Sequence, residues 1–97
     1  MIKHIVTFKL RGTDEERKKV ATQFKEALEK LPEAISCLRS MEAGVNMNPK
    51  ENWDIVLTAV VDNMADLEEY ANHPLHLAAA ALLKDHKEDR SCVDYEF

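Results

Sequence analysis

Hydrophobic and polar residues alternate from Ile2 to Leu10. Ile2, His4, Val6, Phe8 and Leu10 fall on one side, and Lys3, Ile5, Thr7 and Lys9 on the other. A period of two predicts a strand, apolar on its first side except for His4. Gly12 closes it, and Thr13-Asp14-Glu15-Glu16 reads as a capping box that opens a helix. Val20, Phe24, Ala27, Leu28 and Leu31 then recur at helical spacing and form one apolar stripe. The Glu and Lys residues between them are a solvated face, and Leu31-Pro32 ends the helix.

The stretch Ile35 to Asn46 alternates weakly and predicts a second strand, in which Gly44 marks a bulge or a close backbone approach. Residues 46–52 are polar, rich in turn formers and too short for a crossover helix. The next strand therefore runs antiparallel to the second. It spans Trp53 to Asp62, with Trp53, Ile55, Leu57, Ala59 and Val61 on one face. Val56, Thr58 and Val60 line the other, with Asp54 at the start. A strand apolar on both faces is buried on both, yet the helical segments can cover only one. The open face calls for a second copy, which predicts a homodimer through sheet faces.

Asn63 or Asp62 caps a helix from Met64 through Ala71. Pro74 interrupts it, because proline disfavours helix in the residue before it and starts a new helix well. The second helical segment runs from Pro74 to Lys84 and leads into a charged run, and Ser91 to Phe97 predicts a last strand. The order is β-α-β-β-α-β. That is a ferredoxin-like α+β fold, with a four-stranded antiparallel sheet whose first and third strands are central. Residues 1–97 form a single domain.

Composition narrows the function. With 18 acidic against 13 basic residues the net charge is −5. No basic patch stands out, which argues against nucleic-acid binding. No apolar run approaches the roughly 18 residues of a membrane span. The first residues are too few and too polar for a signal peptide, which predicts a cytoplasmic protein. Cys37 and Cys92 have no CxxC or Cys/His ligand spacing and read as small core or edge residues in a reducing compartment. There is no glycine-rich phosphate loop, and His73 and His76 straddle the helix break. Neither a cofactor nor a metal is expected.

The chemistry gathers at Tyr70-Ala71-Asn72-His73-Pro74-Leu75-His76. His76 lies in the first turn of a helix, where the positive end favours a neutral imidazole able to take a proton near pH 7. Tyr70 is either a core aromatic or its chemical partner. His73 ends a helix and His86 is solvated. His4, alone on an apolar strand face, is either a satisfied core histidine or a pocket residue whose tautomer Asp54 fixes. Val6, Phe8, Val20, Phe24 and Val56 would wall a pocket for a small apolar or aromatic ligand.

These landmarks carry a resemblance. The chain resembles the stress-responsive A/B barrel (Dabb) family along nearly its whole length. The resemblance rests on Met1-Ile2-Lys3-His4-Ile5-Val6-Thr7-Phe8-Lys9, Leu31-Pro32, Gly44, Trp53-Asp54, Tyr70-x-x-His73-Pro74-x-His76 and Val93-Asp94-Tyr95-Glu96. It implies ferredoxin-like protomers that dimerise sheet to sheet into a dimeric α+β barrel. The family includes stress-induced proteins and a plant polyketide cyclase, olivetolic acid cyclase. By motif, His76 would be the general base, Tyr70 would assist it and His4 would belong to the pocket. Asp54 stands where the cyclase has a histidine.

Two readings follow. In the first, the protein binds a small molecule and can act as a cyclase-, lyase- or isomerase-like acid/base enzyme, with His76 and Tyr70 catalytic and His4, Val6, Phe8, Phe24, Asp54 and Val56 holding the ligand. In the second, it is a non-enzymatic, stress-linked structural or interaction protein with no working pocket. The discriminating feature is whether His4, Asp54, Tyr70 and His76 converge on a cavity that solvent can reach.

Overall fold

The computed structural model describes all 97 residues, Met1 to Phe97. The alternating N-terminal segment is β1 (Ile2–Leu10), followed by α1 (Asp14–Glu29) and a four-residue helix, α2 (Leu31–Ala34). Next come β2 (Ser40–Val45), β3 (Ile55–Val61), α3 (Met64–Asn72), α4 (Pro74–Ala81) and β4 (Lys87–Glu96). The strands form one antiparallel sheet of order β2-β3-β1-β4, so β1 and β3 are central. The fold is ferredoxin-like α+β.

Local chemistry sets the helix starts. Gly12 has φ 120°, in the left-handed region that a side chain resists, and lets the chain turn out of β1. Thr13 Oγ1 then accepts from the Glu16 backbone N–H at 3.1 Å. Asn63, not Asp62, caps α3, with its Oδ1 accepting from the Asp66 N–H at 2.9 Å. Asp62 is engaged elsewhere, by the Arg39 guanidinium at 2.6 and 3.0 Å.

Register aligns the core. Ile2 faces Val61, Val6 faces Leu57 and Phe8 faces Ile55 across the central pair, and all six are buried. Helix α1 lays Val20, Ala21, Phe24 and Leu28 against this face, and Phe24 meets Phe8 edge-on at 5.5 Å. Every buried residue is hydrophobic, apart from the hydroxyl that Tyr70 carries. The opposite face is bare. Val56, Val93 and Tyr95 are exposed there, and Ile5 is half-buried between Thr58 and Val93. No helix is long and apolar enough to cross a membrane.

Three strand starts differ from the sequence pattern. The second strand covers only Ser40–Val45, because Pro32 sits in the first turn of α2, where its missing N–H costs nothing. Ile35 and Leu38 are buried from a connecting segment rather than from a strand, which explains the weak alternation there. Trp53 and Asp54 precede β3. Strand β4 begins at Lys87, inside the charged run, because an edge strand tolerates charge that a buried one would not. Gly44 makes no bulge. The β2–β3 register runs unbroken past it, and an added Cβ would meet Val56 at an ordinary 3.6 Å.

Candidate functional site

The break between α3 and α4 organises the site. His73 adopts φ −65° and ψ 135°, the extended form expected before a proline. It closes α3 and caps α4, with its Nδ1 accepting from the Leu75 N–H at 3.1 Å. His73 is therefore a structural joint. It turns the chain so that Tyr70, in the last turn of α3, lies against His76, in the first turn of α4. Their ring centroids are 4.5 Å apart.

His76 Nδ1 lies 2.9 Å from the Ala71 carbonyl oxygen. A carbonyl can only accept, so Nδ1 carries the proton and donates. Nε2 is left with its lone pair, and no protein group bonds it. Burial pulls the His76 pKa below the usual imidazole value. The Ala71 bond opposes this, while the neighbouring His4 and Arg90 add to it. His76 is thus a neutral base of fixed tautomer.

Tyr70 is 0% exposed, and its hydroxyl is the one buried side-chain polar atom with no hydrogen-bond partner in the protein. An unsatisfied buried hydroxyl costs about 1–3 kcal/mol. Burial raises its pKa well above the usual phenol value, so it stays protonated. It is a donor with nothing to donate to.

His4 stands opposite Asp94 across the β1–β4 pair. Its Nδ1–H donates to Asp94 Oδ1 in a charge-assisted bond. Cys92, two residues along the same face of β4, places its Sγ 3.5 Å from both atoms. The His4 ring meets Tyr70 edge-on at 6.2 Å.

These groups line one solvent-open cavity of about 980 Å³. Val6, Phe8, Phe24 and Leu57 form its apolar floor, and Glu68, Lys87 and Arg90 add charge. Six of the residues singled out in the sequence therefore meet: His4, Val6, Phe8, Phe24, Tyr70 and His76. Two do not. Asp54 accepts from the Leu10 N–H at 2.7 Å and from Arg17 at 3.3 Å, which ties α1 to the end of β1. It does not touch His4, whose carboxylate partner is Asp94. Val56 points to the bare face of the sheet because strand side chains alternate. Val20 is core and does not line the cavity.

Sequence reasoning missed Asp94, Cys92 and Arg90 as site residues. They share the inward face of β4, and the only available signal was the alternation of Arg90, Cys92 and Asp94 opposite Phe8, Val6 and His4. His4, Cys92 and Asp94 are also the one set of three donors within 4.8 Å that could hold a metal ion. No spacing in the sequence announces this set, because the β1–β4 register alone brings His4 beside Cys92 and Asp94.

Linkage gives the site a pH signature. The folded pKa of His76 lies below its unfolded value of about 6.5. The unfolded chain then binds more protons as pH falls, and stability is lost from pH ~6.5 down through the folded pKa. Denaturant unfolding at a series of pH values should show this slope in the wild type and a shallower one in His76→Gln. Equal slopes would mean that the imidazole is solvated.

The sequence pattern of the stress-responsive A/B barrel domain matches residues 2–97. The chain belongs to the Dabb family. An uncharacterised protein of Streptomyces coelicolor is 34% identical over 101 residues, covering 100% of both chains. A dimeric ferredoxin-like protein from Bacteroides fragilis is 52% identical, with a TM-score of 0.96 over 99% of this chain and 95% of that one. Another, from Thermobifida fusca, is 30% identical, with a TM-score of 0.79 over 99% and 90%. The Dabb fold here thus matches proteins that are themselves dimeric.

Proposed function

We propose that this Dabb protein is a small-molecule-binding protein that works as an acid/base enzyme of the cyclase, lyase or isomerase kind. The observation that carries this is the Tyr70 hydroxyl, buried and unpartnered just behind the wall of a cavity that Tyr70 and His76 both line. A donor left unpaired at a cost in stability, beside a base of fixed tautomer, is arranged for a ligand rather than for the fold. His76 Nε2 would take a proton from a carbon next to a ligand carbonyl. The electron pair moves to the carbonyl oxygen, and Tyr70 O–H donates to the enolate as its charge develops. The imidazolium then returns the proton to the product. The Asp94-anchored His4 orients the ligand from the strand side, and the apolar floor takes its body.

The functional unit is proposed to be a homodimer. The exposed Val56, Val93 and Tyr95 on the bare face support it, as do the dimeric relatives. That face lies opposite the cavity, so pairing leaves each site open.

Tyr70→Phe tests the reading through opposite effects on stability and ligand binding. It removes the unsatisfied hydroxyl and keeps the ring, so the free protein should gain about 1 kcal/mol in urea unfolding. Affinity for a ketone or phenol ligand should drop about tenfold in the same variant. A loss of stability would instead show that the hydroxyl serves the fold, and the proposal would fall.

A further inference from the structure

Arg90 is the arginine that the fold does not use. The chain has four arginines, Arg11, Arg17, Arg39 and Arg90. Arg17 is held by Asp14, the Gly12 carbonyl and Asp54. Arg39 clasps Asp62 with two nitrogens, and Arg11 donates to the Lys87 carbonyl at 3.2 Å. The Arg90 guanidinium pairs with no carboxylate and lies beside the Cys92 thiol, although acids outnumber bases 18 to 13 in the chain. Its five N–H donors form a planar fork suited to a carboxylate.

Its direction is set by register. Arg90 pairs with Phe8 across β1–β4, and Phe8 is buried on the helix-covered face. Cross-strand partners point to the same side, so Arg90 points inward and lines the cavity. Lys87 lines it too and also has no carboxylate partner. The acids on the cavity are Asp94, which is engaged by His4, and Glu68 on α3, which pairs with neither cation. One end of an apolar cavity therefore holds an unneutralised cation, and the helix side holds an unpartnered hydroxyl.

We infer that the ligand is an organic acid: an apolar or aromatic body with a carboxylate held by Arg90, assisted by Lys87, and an oxygen function reaching Tyr70. This rests on the small-molecule reading of the cavity and adds the substrate class to it. Arg90 is a specificity residue that binds an end of the ligand remote from His76 and Tyr70. Lys87 is secondary, because its ammonium is a point charge on a flexible stem, while the guanidinium binds in two places at once.

The test compares 2-naphthoate with 2-naphthamide, which share one aromatic body and differ in charge. Binding is followed by calorimetric titration and by NMR shifts of His4 and His76 in the full-length protein. The wild type should bind the acid at least about tenfold tighter than the amide, as a charge-assisted pair predicts. Arg90→Gln should bring the two within about twofold, chiefly by weakening the acid, and added salt should narrow the wild-type gap. Because the Arg90 side chain pairs with no carboxylate in the fold, the variant should unfold close to the wild-type midpoint, so a loss of preference cannot be blamed on misfolding. Equal binding of acid and amide by the wild type overturns the inference but leaves the cavity reading standing. A preference that survives in Arg90→Gln overturns it as well. If neither compound binds or moves the histidines, the small-molecule reading fails and the inference falls with it.

Discussion

Replacing His76 with alanine should slow proton transfer to and from a bound ligand by about 100-fold or more, the usual contribution of a positioned general base. The reaction to follow is exchange of the methyl protons of 4-acetylbenzoate for deuterium, read by NMR. This compound has a ketone for Tyr70 and a carboxylate for the cationic end of the cavity. The wild type should exchange them well above the buffer rate. Near pH 7 the rate should be on its plateau, because burial keeps His76 neutral there, and it should fall on acidification through the depressed pKa. His76→Ala should lose both the rate and the pH dependence. The size of the expected effect follows from geometry. The bond from Nδ1 to Ala71 fixes which nitrogen is basic, and the other candidate bases on the cavity are engaged or exposed. Asp94 is tied to His4, and Glu68 is exposed on α3. Exchange no faster than in buffer, or a His76→Ala variant that keeps the rate, would remove the acid/base assignment.

Phe24→Ala should carry the largest stability cost of a single truncation near the site, about 3–5 kcal/mol. Phe24 is 2% exposed, makes an edge-on contact with Phe8 at 5.5 Å, and belongs to both the core and the cavity floor. Removing it loses the transfer energy of the ring and the aromatic pairing. Because one side of the ring borders an open cavity, water can fill part of the gap, which places the loss near ~3 kcal/mol. That is a large share of the roughly 5–15 kcal/mol that holds a domain together. Urea unfolding at fixed protein concentration checks it, since a dimer's midpoint moves with concentration. Lys18→Ala, on the exposed face of the same helix, should stay within about 0.5 kcal/mol. A Phe24→Ala loss below about 1 kcal/mol would show that the ring is only a liner of the pocket.

Local patterns reached a long way in this chain. The alternation of β1 and β3, the stripe of α1, the Thr13 cap, the cap of α3 at Asp62 or Asn63 and the break at Pro74 each depend on a few neighbouring residues. Period and backbone sterics act at that range. The pairing of Tyr70 with His76 was legible for the same reason, because a proline-forced turn brings together residues only six positions apart. The boundaries that slipped, at Leu31–Ala34, Ile35 and Lys87, lie where burial comes from irregular backbone or where an edge strand accepts charge.

The partner of His4 was not legible locally. Asp54 and Asp94 are both short acids near strand residues, and nothing in their surroundings separates them. Asp54 was the candidate because it opens a central strand. The antiparallel register with the C-terminal strand places Asp94 directly opposite His4, 90 positions away in sequence. The sequence by itself determined the element order, the ferredoxin-like topology and the Tyr70–His76 corner, because these follow from short-range periodicity and the steric rules of proline. Only the tertiary structure decided that Asp94 holds His4, that Cys92 and Arg90 face inward, and that the Tyr70 hydroxyl lies buried without a partner. Those facts depend on strand register and on what packing leaves empty, and neither is encoded at any single position of the chain.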